Sequence, residues 1–222
     1  MAHVYESKEV RHGFRVEVLQ DECAESPREW DNVGTIVIGD RVRYNVGDRS
    51  APVAQIEALC KDPQNIWLPV YMLDHSGIRL NTSGFACPWD SGQIGIIYTT
   101  KARAVEEWGG KVCTAKVRAR ALDCLRAEVA TLDQFVSGDV YFYRVQDAEG
   151  ETVDACHGYY GTADALAAGI EAAEYHAAAV DGFNQFQKEK EEARFNAAVV
   201  AQLQARGIPA QWAADHLIVR SV

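Results

Sequence analysis

Gly84-Phe85-Ala86-Cys87-Pro88-Trp89-Asp90-Ser91-Gly92-Gln93-Ile94-Gly95-Ile96-Ile97-Tyr98 joins two kinds of chain. Ile94 to Tyr98 is apolar and β-branched, the composition of a buried strand. The part before it carries glycines, a proline, a cysteine, a tryptophan and an aspartate, the composition of an irregular turn. Gly92 can take a dihedral that other residues avoid, and Pro88 biases Cys87 away from helix. Such a loop, feeding directly into a core strand, presents Cys87, Trp89 and Asp90 from a rigid support. The plain structural reading is a tight turn in which Trp89 plugs the core and Asp90 caps the backbone at Gly92.

Working outward, hydrophobic alternation predicts an early strand over 14–19 and another over 35–38. Between them, Asp21, Glu22, Glu25, Glu29 and Asp31 face one base, Arg28, and Ser26-Pro27 with Glu29 reads as a capped helical turn. Residues 52–60 predict a short helix. A strand over 66–73 follows, with Pro69 marking an edge or a bulge, and 78–82 pairs back on it. A short helix over 100–108 ends at Gly109-Gly110. Val117, Ala121, Leu125, Val129, Leu132 and Val136 recur at helical spacing and predict a long helix over 114–136. Strands at 139–145 and 152–157 form a hairpin. The chain is then helical over 162–180, with Gly169 read as a break, again over 183–205, and in a short amphipathic piece over 210–219.

The expected fold is α+β: an antiparallel or mixed sheet packed against a long helix. Residues 1–161 form the body and 162–222 a helical C-terminal extension. The 222 residues carry a net charge of -10. Residues 1–110 and 111–222 each hold 16 acids against 11 bases, or -5 apiece, so the acidity is no detachable tail. That field disfavours direct nucleic-acid binding and favours a partner with a basic surface. No apolar run is long enough for a membrane span, and the first residues lack an apolar signal segment, so a cytoplasmic protein is expected. The six cysteines are unevenly spaced, with no C-x2-C pair, and fit neither a zinc finger nor a disulfide framework.

Three blocks, 24–35 (AESPREWDNVGT), 87–95 (CPWDSGQIG) and 154–161 (DACHGYYG), resemble those of a family of small acidic proteins encoded by bacteriophages and mobile elements. The likeness covers roughly residues 14–161. In the third block the family commonly has serine, tryptophan and phenylalanine where this chain has Ala155, His157 and Tyr159. The resemblance implies a phage-side setting, with engagement of a host or defence component, and no catalytic chemistry.

Each of the three blocks spends glycine and a bulky aromatic on a turn, so they are expected to converge. Trp30, Trp89 and Tyr159 would then form a patch beside Glu25, Glu29, Asp31, Asp90 and Asp154, suited to anchoring a protein partner. The plain alternative leaves Glu25, Arg28 and Glu29 in solvent and the rings in the core. For chemistry, the carboxylates at 21–31 with Asp90 offer oxygen ligands for a hard cation, without the spacing of a calcium loop. Cys87 with His75 or His157 offers a thiol and a base. Cys156 and His157, adjacent on a strand, point to opposite faces. No nucleophile elbow, phosphate loop or dinucleotide fingerprint occurs. The expectation is a non-enzymatic, cofactor-free protein that binds and modulates a host or defence protein, with self-association left open. The rival is a small hydrolase using a bound cation or a cysteine.

Overall fold

The computed structural model describes residues 3–207 and divides their strands between two sheets in an order that the chain does not follow. The strands are β1 (Val4–Glu9), β2 (Arg15–Gln20), β3 (Thr35–Gly39), β4 (Arg49–Ala51), β5 (Asn65–Asp74), β6 (Ile78–Asn81), β7 (Ser91–Thr100), β8 (Val140–Gln146) and β9 (Thr152–Tyr160). The helices are α1 (Val53–Lys61), α2 (Lys101–Trp108), α3 (Ala115–Ser137) and α4 (Thr162–Ala205). One sheet runs β1-β2-β8-β9 and is antiparallel throughout. The other runs β4-β3-β7-β5-β6 and is mixed, because β3 and β4 are parallel. The chain starts the first sheet, leaves it to build the whole of the second, and returns at β8 to pair with β2. The fold is α+β as expected, with two sheets where one was anticipated.

The second sheet is covered on both faces, which is why β5 and β7 read as nearly continuous apolar runs. On one face α3 lays Val117, Ala121, Leu125, Val129 and Leu132 over Ile36, Ile38, Ile66, Val70, Leu80 and Ile97. Each large aliphatic side chain buried there contributes roughly 1.5–3 kcal/mol. Thr114 caps this helix by accepting from the Val117 N–H, and Gly138 ends it in the left-handed region. On the other face α1 sets Ile56, Leu59 and Cys60 against Val37, Ala51 and Ile96. Pro69 sits inside β5, opposite Ile96 of β7 and next to a register shift at Val70/Tyr71. The pairing with β6 begins only at Tyr71, so the missing N–H of Pro69 costs no bond on that side.

Within the stretch 84–98, the packing requires glycine at Gly95 on β7 and not at Gly92. A side chain at Gly95 would run into the backbone carbonyl of Val37 on β3, whereas Gly92 faces open space and has no left-handed φ.

α4 is one helix of 44 residues, not two, and Gly169 does not break it. Ala165, Gly169, Ala173 and Ala177 form a buried stripe of small residues that lets the helix axis approach the first sheet closely. The division at 161 therefore separates β9 from the helix that covers it. The helix is tied to the β1–β2 connection by Arg11, which bonds Glu174 and Asp181, and by His12, 2.7 Å from Asp181. Hydrogen bonds from His12 and then Arg11 hold the Asp181 carboxyl below the usual carboxylate range. Beyond Val180 no residue of α4 is buried, and Phe183, Phe186 and Phe195 are exposed. The amphipathic piece anticipated at 210–219 lies outside the described residues.

Candidate functional site

Where β2 ends, the chain turns through the acidic segment beside β9, and the turn is held by one buried carboxylate. The Asp21 N–H donates to the Val140 carbonyl at 2.8 Å, continuing the β2–β8 alignment by one residue. The Asp21 side chain, 3% exposed, accepts from the N–H groups of Cys23 (3.1 Å) and Gly158 (3.2 Å). Nδ1 of His157 lies 3.3 Å from the same carboxylate.

His157 reaches this point because β9 bulges. Tyr143 faces Cys156 and Tyr141 faces Tyr159, so His157 and Gly158 together stand opposite Phe142. Gly158 takes a φ of 84°, the left-handed region that glycine enters without strain. The imidazole lies flat on Phe142, with centroids 4.4 Å apart and planes at 6°. Trp30 meets Tyr160 edge to face at 5.7 Å. Together Asp21, Cys23, Glu25, Trp30, His157 and Tyr160 line a cleft of about 330 Å³. Burial, and then the charge of Asp21, push the Tyr160 hydroxyl pKa up. The first and third sequence blocks therefore meet.

The central loop does not join them. Thr35 pairs with Tyr98, and Ser91 lies seven residues further along β7, roughly 23 Å away at strand rise. Trp89 at that far end is 92% exposed, so it neither plugs the core nor meets Trp30. Asp90 caps no backbone at Gly92. Its Oδ2 instead lies 3.1 Å from Nδ1 of His75 and accepts from the Cys87 thiol at 3.6 Å. The thiol is thus paired with the carboxylate and not with an imidazole. Tyr159 is on the helix-covered face of its sheet, with its ring 5.7 Å from that of Tyr143, while Tyr160 faces Trp30. Asp154 also turns toward α4, 3.4 Å from His176. The patch of Trp30, Trp89 and Tyr159 is not formed. Among the described residues no three His, Cys, Asp or Glu side chains come together to hold a metal ion.

Arg28 is not in solvent. Its guanidinium bonds Asp48 through two nitrogens (2.9 and 2.8 Å), Glu128 at 2.9 Å and the Gly34 carbonyl at 2.7 Å. Glu128 also accepts from the Val33 and Gly34 N–H groups, and Asp48 from that of Ile36. Burial lowers the Arg28 pKa, but the hydrogen bonds to Asp48 and Glu128 outweigh it, and the net direction is upward. Burial, and then Glu128, raise the neighbouring Cys124 thiol to about 11. This hub fixes the acidic turn onto α3 and leaves Glu25, Glu29 and Trp30 facing outward. Asp31 is exposed and pairs with Arg103 at 3.2 Å.

The residues that reasoning from sequence missed are Asp21 as an organiser, Cys23 and Tyr160 as cleft walls, and Glu128 and Asp48 as partners of Arg28. The left-handed Gly158 was the one local signal of the bulge. Compared with family models, curated proteins and solved structures, the chain matches none.

Proposed function

We propose that this protein is a non-enzymatic interaction module that binds and modulates a partner protein with a basic surface. The observation that carries the reading is the meeting of two sequence blocks in one cleft. There Trp30 and Tyr160 form an aromatic wall beside Asp21 and Glu25. Trp30 is half exposed and meets Tyr160 edge to face, which holds its ring at the cleft before a partner covers it. Aromatic anchors within an acidic rim suit a lysine or arginine side chain, through charge and through the ring face. The net charge of -10 adds long-range attraction for a basic surface. The family resemblance supports a phage or mobile-element setting, in which the partner is a host or defence protein. No helix among the described residues is long and apolar enough to cross a membrane.

Affinity capture from host lysate tests the reading. The wild type is expected to retain a basic host protein that a Glu25→Lys, Trp30→Ala variant loses at least tenfold. Trp89→Ala, at the far end of β7, retains it fully. Capture unaffected by the cleft variant, or abolished by Trp89→Ala alone, would place the contact elsewhere.

A further inference from the structure

A second cavity, of about 540 Å³, shares no residue with the cleft. That volume lies within the roughly 300–1,000 Å³ of small-molecule sites. One wall is the face of α1 that carries Val53, Ile56, Glu57, Cys60 and Lys61, spaced as residues on one side of a helix. The end of β3 and the turn after it supply Gly39, Asp40, Arg41 and Val42, and β7 supplies Ile94. Gly39 keeps the space open. It lies two residues from Val37, on the sheet face that α1 covers. Its φ is outside the left-handed region, and a β-carbon there would meet only the Ile94 carbonyl oxygen at 3.6 Å and Cγ2 of Val42 at 3.7 Å, both ordinary contacts. Neither the backbone nor the packing requires glycine at this position, and a glycine on a strand marks a place where a ligand comes close. The charges around the cavity divide into one pair and two free groups. Lys61 bonds Glu57, one turn earlier on α1, at 3.1 Å. The Asp40 carboxylate and the Arg41 guanidinium have no partner among the described residues, and they do not pair with each other.

We propose that this cavity binds a small zwitterion with an apolar body, the size of a hydrophobic dipeptide. Its carboxylate accepts from Arg41, its ammonium donates to Asp40, and its side chains lie against Val53, Ile56, Cys60 and Ile94. Charge complementarity of both signs selects this class. An anionic amphiphile would leave Asp40 unpaired beside it, a cationic one Arg41, and a neutral apolar molecule both. The planar guanidinium suits a carboxylate because it can donate through two N–H groups at once. A free amino acid would leave most of the volume unfilled. The site stands apart from the cleft with Trp30, so the inference does not rest on the binding reading.

Isothermal titration calorimetry of the full chain with leucyl-leucine at pH 7 tests the proposal. The wild type is expected to bind with a Kd below about 1 mM. Arg41→Gln and Asp40→Asn each weaken binding at least fivefold. Leucyl-leucine amide, which lacks the carboxylate, loses affinity in Asp40→Asn and none in Arg41→Gln. Gly39→Val puts a side chain into the cavity and abolishes binding, while circular dichroism and urea unfolding check that its fold is kept. The two charge variants alter exposed side chains, so they decide the matter even if Gly39→Val does not fold. No binding to the wild type at several millimolar overturns the proposal, as does full affinity in a folded Gly39→Val or in both charge variants. An effect of Arg41→Gln with none of Asp40→Asn would make the ligand a simple carboxylate and overturns the zwitterion. Each of these failures is separable from the binding reading, which is judged by partner capture with the Glu25 and Trp30 substitutions.

Discussion

Arg28→Met is expected to destabilise the protein by about 3–5 kcal/mol, the cost of leaving buried carboxylates without their cation. The side chains of Arg28 and Glu128 are each only 10% exposed, and Asp48 completes the pair from the other side. Methionine fills much of the volume of the arginine stem, so the loss reads the charge and its hydrogen bonds more than the packing. The N–H groups of Val33, Gly34 and Ile36 still bond the two acids, which keeps the loss within that range. Arg103 supplies the contrast. It pairs with Asp31, which is 94% exposed, and Arg103→Met should cost under about 1 kcal/mol. Urea unfolding of the two variants decides the matter. A double variant, Arg28→Met with Glu128→Gln, should be less destabilised than the sum of its single changes, because the partner charge leaves together with the cation. Equal losses for Arg28→Met and Arg103→Met would mean that the hub is solvated. The prediction also bears on function. A charge reversal at Arg28 would abolish binding by unfolding the acidic turn, so it cannot report on contact, whereas Glu25 and Trp30 can.

How far the molecule was legible in its sequence depended on how far each signal had to reach along the chain. The α3 periodicity and the pairing of β8 with β9 are local and were readable in the sequence, although β9 runs through a bulge to Tyr160, beyond the end at 157 that was expected. The division into two sheets was not, because the pairing that creates it joins Val18 to Tyr143 with the whole second sheet between them. Arg28 was misjudged for the same reason: among five nearby acids it reads as one more solvated charge, while its deciding partner is 100 residues away on α3. The cleft was half visible. Glu25, Trp30 and His157 were marked by composition, but the sequence treats 87–95 as their companion because it is equally rich in glycine and tryptophan. Only the antiparallel register of β3 on β7 sends that loop to the opposite end of the strand.

Gly169 was misread as well, and the same substitution at two positions of α4 separates the two meanings of a helical glycine. A β-carbon at Gly169 would lie 2.5 Å from Cγ1 of Val16 and 3.0 Å from Cβ of Tyr143. Both are buried residues of central strands, pinned by pairing with each other's neighbours, so neither has room to retreat. Gly169→Ala therefore gains the roughly 1 kcal/mol that alanine brings to a helix interior but loses more as α4 is pushed off its sheet. The net expectation is destabilisation of about 1–3 kcal/mol. At Gly182 nothing lies within 4 Å of the added carbon, and the helix there is exposed. Gly182→Ala should accordingly stabilise the protein by about 0.5–1 kcal/mol through helix propensity and a less flexible unfolded chain. Thermal or urea unfolding of the two variants gives shifts of opposite sign if α4 is one continuous helix seated on a stripe of small residues. If Gly169 were instead a break, alanine there would be neutral or stabilising. The close approach of Ala165, Ala173 and Ala177 would then have to be explained without a straight helix.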